Sequence, residues 1–240
     1  MIVCLTFDDG LLSHYEFVRP ILKDAGLSAT FFINGEFMRS NALPTMSWAQ
    51  IREMAADFEI ANHGNAHVSM PEFPDQQTQI EHIPAHFGRY MKSFCYPGYC
   101  YDIHMMSLLR EMGYTHARSG CDKTKKFHEY QEGASGIPYN VVFDNPFNVQ
   151  CLGIFGKLYG FEEFKKDIAR IGELECGVFC FHNLDGEAPN GITEDAFRRC
   201  VDLLVDGGHT AVQMVNIENH FEYCIGMESF DEYNAMMEAT

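Results

Sequence analysis

The chain has 240 residues and a formal net charge of −17, so a polyanion such as nucleic acid, or an anionic membrane surface, would be repelled over most of it. With 46% hydrophobic and 21% charged residues, the composition is that of a globular domain and excludes a disordered chain. No run approaches the roughly 20 apolar residues that cross a bilayer, and the first apolar run starts at Ile2, leaving no room for a signal peptide, so a cytoplasmic location is expected.

The first predicted strand is IVCLTF (2–7), and it stops at the acid pair Asp8-Asp9 followed by Gly10. Tyr15, Val18, Ile21 and Leu22 then recur with helical spacing, and Gly26 suits the end of that helix. ATFFI (29–33) is the second strand. Ser47 is placed to cap a helix whose Trp48, Ile51 and Met54 share one face, a spacing that favours core packing for the lone tryptophan. FEIAN (58–62), SFCY (93–96) and THAR (115–118) follow as strands. The stretch from about 120 to 160 breaks the rhythm and reads as an irregular insertion, with a hairpin around Tyr139 to Phe143. Phe161, Phe164, Ile168 and Ile171 predict another helix, and GVFCFH (177–182) and TAVQM (210–214) complete a set of seven strands. Strand and helix in alternation imply a parallel sheet with helices outside it, as a barrel or a doubly wound sheet, in a single domain spanning 1–240.

Nine cysteines are scattered along the chain, several inside apolar runs, and none forms a CxxC pair. They read as reduced thiols packed as small hydrophobes rather than as a zinc ribbon.

In parallel α/β folds ligands sit at the carboxyl ends of the strands. At those ends stand Asp8 and Asp9, His63 and His67, Tyr96-Pro97-Gly98-Tyr99, and His182-Asn183. His63 and His67 are four apart, which on one helical turn puts both imidazoles on one face, able to hold a metal ion. Two adjacent carboxylates repel unless a cation or shared proton stabilises them. Since neighbouring side chains in an extended chain point apart, one acid can ligate an ion while the other reaches water as a general base. Asp-Asp-Gly alone also suits a tight turn.

TFDDG (6–10), EIANHGNAH (59–67), FCYPGY (94–99) and VFCFHN (178–183), in this order and spacing, resemble the polysaccharide deacetylases of carbohydrate esterase family 4, the NodB homology domain, over about residues 2 to 215. The resemblance implies a distorted (β/α)7 barrel and a divalent metal, zinc first, with cobalt or nickel as alternatives. It also implies hydrolysis of an N-acetyl group on an amino sugar. It makes Asp8 the general base, Asp9, His63 and His67 the metal ligands, and His182 the acid that protonates the leaving amine. The Pro97 motif then offers the Gly98 amide to the oxyanion.

Three departures from the family pattern stand out. The arginine that orients the base in many members is replaced by Cys95; Arg118 is the candidate to reach the same carboxylate from another direction, or else lies at the surface facing substrate. The aromatic-glycine order is reversed to Gly98-Tyr99, which alters the substrate-facing wall, where Tyr99 and Tyr101 are candidates to stack on a sugar. The acid that orients His182 has no secure match among Asp122, Asp144 and Asp185. The expected substrate is an N-acetylated carbohydrate; the alternatives are a related hydrolase of a small or cyclic amide and a non-catalytic carbohydrate-binding barrel.

Overall fold

The computed structural model describes residues 1–40, 43–68, 74–120, 145–153, 160–171, 176–184 and 191–220. Its strands are β1 (Ile2–Phe7), β2 (Thr30–Ile33), β3 (Glu59–Asn62), β4 (Ser93–Cys95), β5 (His116–Ser119), β6 (Val149–Gln150), β7 (Leu152–Gly153), β8 (Cys176–Phe181) and β9 (Thr210–Ala211). All pair in parallel, in the order β6-β5-β4-β3-β2-β1-β8-β7 with β9 beside β1. The result is a nearly closed, distorted barrel of the predicted type.

The closure comes from the stretch read as irregular. β6 pairs with β5 and β7 with β8, with Cys151 alone between them, so one short segment joins the two free edges of the sheet. Two-residue strands carry no periodicity to read, and Asn148 and Gln150 disguise them. The hairpin expected at Tyr139 to Phe143 lies outside the described residues. The distortion sits at β1, whose start is flanked by β9 (Ile2 opposite Thr210) and whose end is flanked by β2 (Phe7 opposite Phe31). TAVQM yields only a two-residue strand, because the chain then turns beneath the barrel: Met214 N–H donates to Thr30 Oγ1 and Val215 N–H to buried Glu59.

Successive side chains on a strand face opposite ways, and a barrel sorts them into interior and exterior. Cys4, Phe32, Ala61, Cys95, Val149, Val178 and Cys180 form the inner cluster; Val3, Leu5, Phe7, Phe31, Ile60, Phe94, Ala117 and Phe179 pack outward against the helices. Phe7 stacks on Phe31 at 4.8 Å and on Phe181 at 5.2 Å between ring centroids, and burying such a ring contributes about 1.5–3 kcal/mol.

The helices are α1 (Arg19–Ala25), α2 (Phe37–Ser40), α3 (Trp48–Met54), α4 (Gln76–Phe87), α5 (Ile103–Glu111), α6 (Phe161–Arg170) and α7 (Glu194–Asp206). Gly26 ends α1 at φ +67°, a conformation that costs glycine nothing. Ser47 and Gln50 form a reciprocal capping box at the start of α3, whose Ile51 and Met54 are buried and whose Trp48 packs against the core and stacks on His86. Among the described residues no helix is long and apolar enough to cross a membrane.

Candidate active site

β1 stops because its next residues turn. Asp8 N–H still donates to Phe181 O, but Asp9 adopts φ +74° and Gly10 φ +69°. Aspartate tolerates this left-handed region better than most residues, and here it rotates the two carboxylates apart.

Asp9 Oδ1 lies 3.7 Å from His63 Nε2 and 3.7 Å from His67 Nε2, and it is buried without a hydrogen-bond partner among the described residues. These three residues are a group that could hold a metal ion, and the buried acceptor between two imidazole nitrogens is one that a cation would satisfy. His63 Nδ1 is 2.9 Å from the Cys95 carbonyl, which fixes the proton on Nδ1 and frees Nε2 to ligate. Burial pushes the His63 pKa down to about 3, so the ring is neutral, the form that binds metal. Burial likewise raises Asp9, against the nearby His182 charge.

The two histidines do not share a helical turn. They stand on the loop after β3, where Gly64 at φ +71° reverses the chain and polar side chains clamp it. Asn34 donates to His63 O, Asn62 Oδ1 accepts from Gly64 N–H, Gln79 accepts from Ala66 N–H, and Glu36 accepts from His67 N–H. Gly35 lies so close to this loop that a Cβ there would come within 2.6 Å of Asn65 Oδ1.

Asp8 belongs to a different network. Its Oδ2 receives Arg118 Nη2 in a short ion pair, and Cys180 Sγ (3.3 Å) and Cys95 Sγ (3.7 Å) lie against the same oxygen. Arg118 is fully buried, so it does not face substrate as expected from the sequence; it lies against Asp8. Its guanidinium also contacts Cys151 Sγ and Cys95 Sγ, each at 2.7 Å, and lies over the rings of Phe32 and Tyr99. Burial acts to raise the Asp8 pKa, but the charge of Arg118 foremost, with that of His182, outweighs it and holds the carboxyl well below the usual range.

His182 Nε2 is 3.9 Å from Asp8 Oδ2, and its carbonyl is held by His14 Nε2. Burial alone would lower its pKa; the negative charge of Cys180, Asp8 and Asp9 raises it to about 9, leaving an imidazolium at neutral pH. Asp122, Asp144 and Asp185, considered as its orienting acid, lie outside the described residues.

Pro97–Tyr99 forms a tight turn with Gly98 exposed at φ +59°. Tyr99, itself at φ +60°, sends its ring into the barrel mouth and its hydroxyl to Cys180 Sγ at 3.6 Å, so it lids Arg118 instead of offering a free sugar platform. Tyr101 stacks on Tyr96 at 4.9 Å and packs against the outer core. Cys151 and Cys180 were not singled out by sequence reasoning, although the two-residue spacing of Cys180 and His182 placed both on one face of a strand. The seven described cysteines are all free thiols; Cys121 and Cys224 lie outside the described residues.

Residues 1–117 match the model of the family described as polysaccharide deacetylase. Over these residues, just under half of its length, the chain is similar to the polysaccharide deacetylase family. The match holds the acid pair, both loop histidines and the proline turn, and it ends one residue before Arg118. Three solved structures share the fold. A family 4 esterase domain of a multidomain xylanase from the hindgut metagenome of Trinervitermes trinervoides is 18% identical, with 93% of each chain covered and a TM-score of 0.56. A family 4 carbohydrate esterase from Streptomyces lividans, in complex with acetate, is 19% identical over 88% of this chain and 91% of that one, with a TM-score of 0.56. A family 4 pseudoenzyme from Bacillus anthracis is 14% identical over 90% of this chain and 64% of that one, with a TM-score of 0.60. No curated protein matches the sequence. Since a pseudoenzyme shares the barrel as fully as the esterases do, turnover has to be argued from side chains and not from fold.

Proposed function

We propose that this chain is a metal-dependent hydrolase that removes the acetyl group from the nitrogen of an N-acetylated carbohydrate. The observation that carries the reading is the unmatched Asp9 Oδ1 between two Nε2 atoms, next to a second acid that an arginine keeps ionised. The donor set of one carboxylate and two imidazoles suits zinc, with cobalt or nickel as alternatives, and resembles catalytic rather than closed structural sites. A divalent ion held by Asp9, His63 and His67 would supply Lewis acidity toward water and the amide carbonyl, which matters here because an arginine-paired aspartate is a weak base.

The remaining work falls to this chain's own groups. Asp8 takes the proton of the attacking water, and Arg118 keeps its carboxylate ionised and aimed. The family resemblance gives the Gly98 N–H the role of donor to the oxyanion; losing one such donor costs about 3–4 kcal/mol in a well-studied protease. His182, an imidazolium at neutral pH, carries the proton that the departing nitrogen needs. Tyr99 closes the barrel below the site and keeps water from Arg118.

The test is acetate release from a panel of N-acetylated oligosaccharides after the metal has been stripped and zinc, cobalt or nickel restored in turn. Release that requires the ion and is lost in Asp8→Asn supports the reading. Equal release by the stripped protein, or none from any sugar with the ion bound, overturns it.

A further inference from the structure

We propose that a second, thiophilic divalent ion binds at the cluster Asp8–Cys180–His182, so that zinc beyond one equivalent, or cadmium, silences the site by engaging its base and its acid together. The inhibitory consequence rests on the functional reading above; the binding does not.

The cluster follows from register. β1 and β8 pair in parallel with Thr6 opposite Cys180, and the alternation of β8 sends Cys180 and His182 to the same interior face, one step from where Asp8 leaves β1. Cys180 Sγ is 3.3 Å from Asp8 Oδ2, His182 Nε2 is 3.9 Å from the same oxygen, and Cys180 Sγ is 4.0 Å from His182 Nδ1. One donor atom from each residue lies within 4.8 Å of the others. Tetrahedral zinc, with bonds of about 2.0–2.3 Å, has donor–donor edges of about 3.3–3.8 Å, so with one His182 nitrogen serving as donor the cluster, whose donors lie within 4.8 Å of one another, closes by up to about 1 Å through a ring rotation.

A second observation points to a ligand. Asp8 is 1% exposed, and its Oδ1 has no hydrogen-bond partner among the described residues, so a turn of the carboxylate about its bond can offer Oδ1 to the ion beside Cys180 and His182 while Oδ2 stays on Arg118. The donor set is sulfur, nitrogen and oxygen, which selects zinc, cadmium or cobalt over magnesium and calcium. The Asp9–His63–His67 seat contains no sulfur, so the two seats are chemically distinguishable. Arg118 and an ion at the first seat both repel a cation here, which sets the order of filling: the sulfur-free seat first, the sulfur seat second. Ligation needs a His182 nitrogen free of its proton and Cys180 as the thiolate, so the proton of the imidazolium, and that of the thiol where it is still present, leave to solvent.

The experiment is a cobalt titration of the metal-stripped full chain. The first equivalent is expected to give visible d–d bands without sulfur character, and the second a thiolate-to-cobalt charge-transfer band in the near ultraviolet. Cys180→Ser should bind one ion without that band, its retained first ion showing that it is folded. His63→Ala should lose the first ion and keep the band. With zinc at about ten times the second dissociation constant, the wild-type rate should fall about tenfold, while Cys180→Ser holds its own low-zinc rate. Absence of the charge-transfer band beyond two equivalents overturns the proposal. So does a band that survives Cys180→Ser and disappears in Cys95→Ser, which would place the ion with His63 and Cys95. Equal inhibition of both proteins also overturns it. The cobalt band stands whether or not deacetylation is found, so its failure is separable from failure of the catalytic reading.

Discussion

Cys95 on β4 and Arg118 on β5 are direct partners across the sheet, and the guanidinium that reaches Asp8 Oδ2 passes Cys95 Sγ at 2.7 Å. The cation absent from the proline motif thus arrives from the neighbouring strand, at the same register position.

Removing that cation strands a buried carboxylate. Arg118→Met is expected to cost about 3–5 kcal/mol in denaturant unfolding and to lower kcat/KM by about 10²-fold. Because the folded pKa of Asp8 lies below its unfolded value, the pair contributes stability that is present above about pH 4 and is lost as the pH falls further, toward the folded pKa. Arg118→Met should flatten that acid-side slope. The exchange Cys95→Arg with Arg118→Cys should recover part of both losses, since either strand delivers the guanidinium to the same oxygen.

His182 should set the alkaline limb of the rate profile. The proposed mechanism needs the imidazolium, so kcat is expected to fall as pH rises through about 9. His182→Asn should lose about 10²–10⁴-fold and abolish that limb, which a pH–rate series on both proteins checks.

The two loop histidines should differ in weight. His63 is buried and fixed by the Cys95 carbonyl, whereas the His67 side chain is 34% exposed and must be ordered when it ligates. His63→Ala should therefore weaken zinc more than His67→Ala in a competition titration. Saturating ion at about 100 times its dissociation constant should add about 2.7 kcal/mol to wild-type stability and far less to Asp9→Asn, measured by thermal unfolding with and without chelator.

Gly35→Ala tests the loop clamp without touching a donor. The added methyl meets Asn65 Oδ1 at 2.6 Å and the Asn65 carbonyl at 3.1 Å, so the segment carrying both histidines must move. Zinc affinity should drop by about 10–100-fold, as for other disruptions around ligand residues, with the thiol chemistry deeper in the barrel unaffected.

Strands buried on both faces appear as largely apolar runs, which is why β1, β2 and β8 stand out in this sequence. The Val149–Gly153 segment was hidden because its order comes from edges supplied by β5 and β8 and not from its own residues. The spacing of His63 and His67 suggested a helix; their meeting depends on a left-handed glycine and four clamping side chains that spacing cannot reveal. Arg118 was recognisable as a possible partner of Asp8, but its depth became visible only once Ala117 was known to face outward. Tyr99 followed the same pattern, since its positive φ turns the ring inward and no propensity announces that.

The segment that completes the barrel is held by only two residue pairs on each flank. Such a join is the natural place for the ring to breathe, opening at a fraction of the global unfolding free energy. Cys151, at its midpoint, rests on the Arg118 guanidinium, so each such opening would slacken the charge that holds the Asp8 carboxylate. Amide exchange at this join and the ionisation of Asp8 are therefore two readings of one fluctuation.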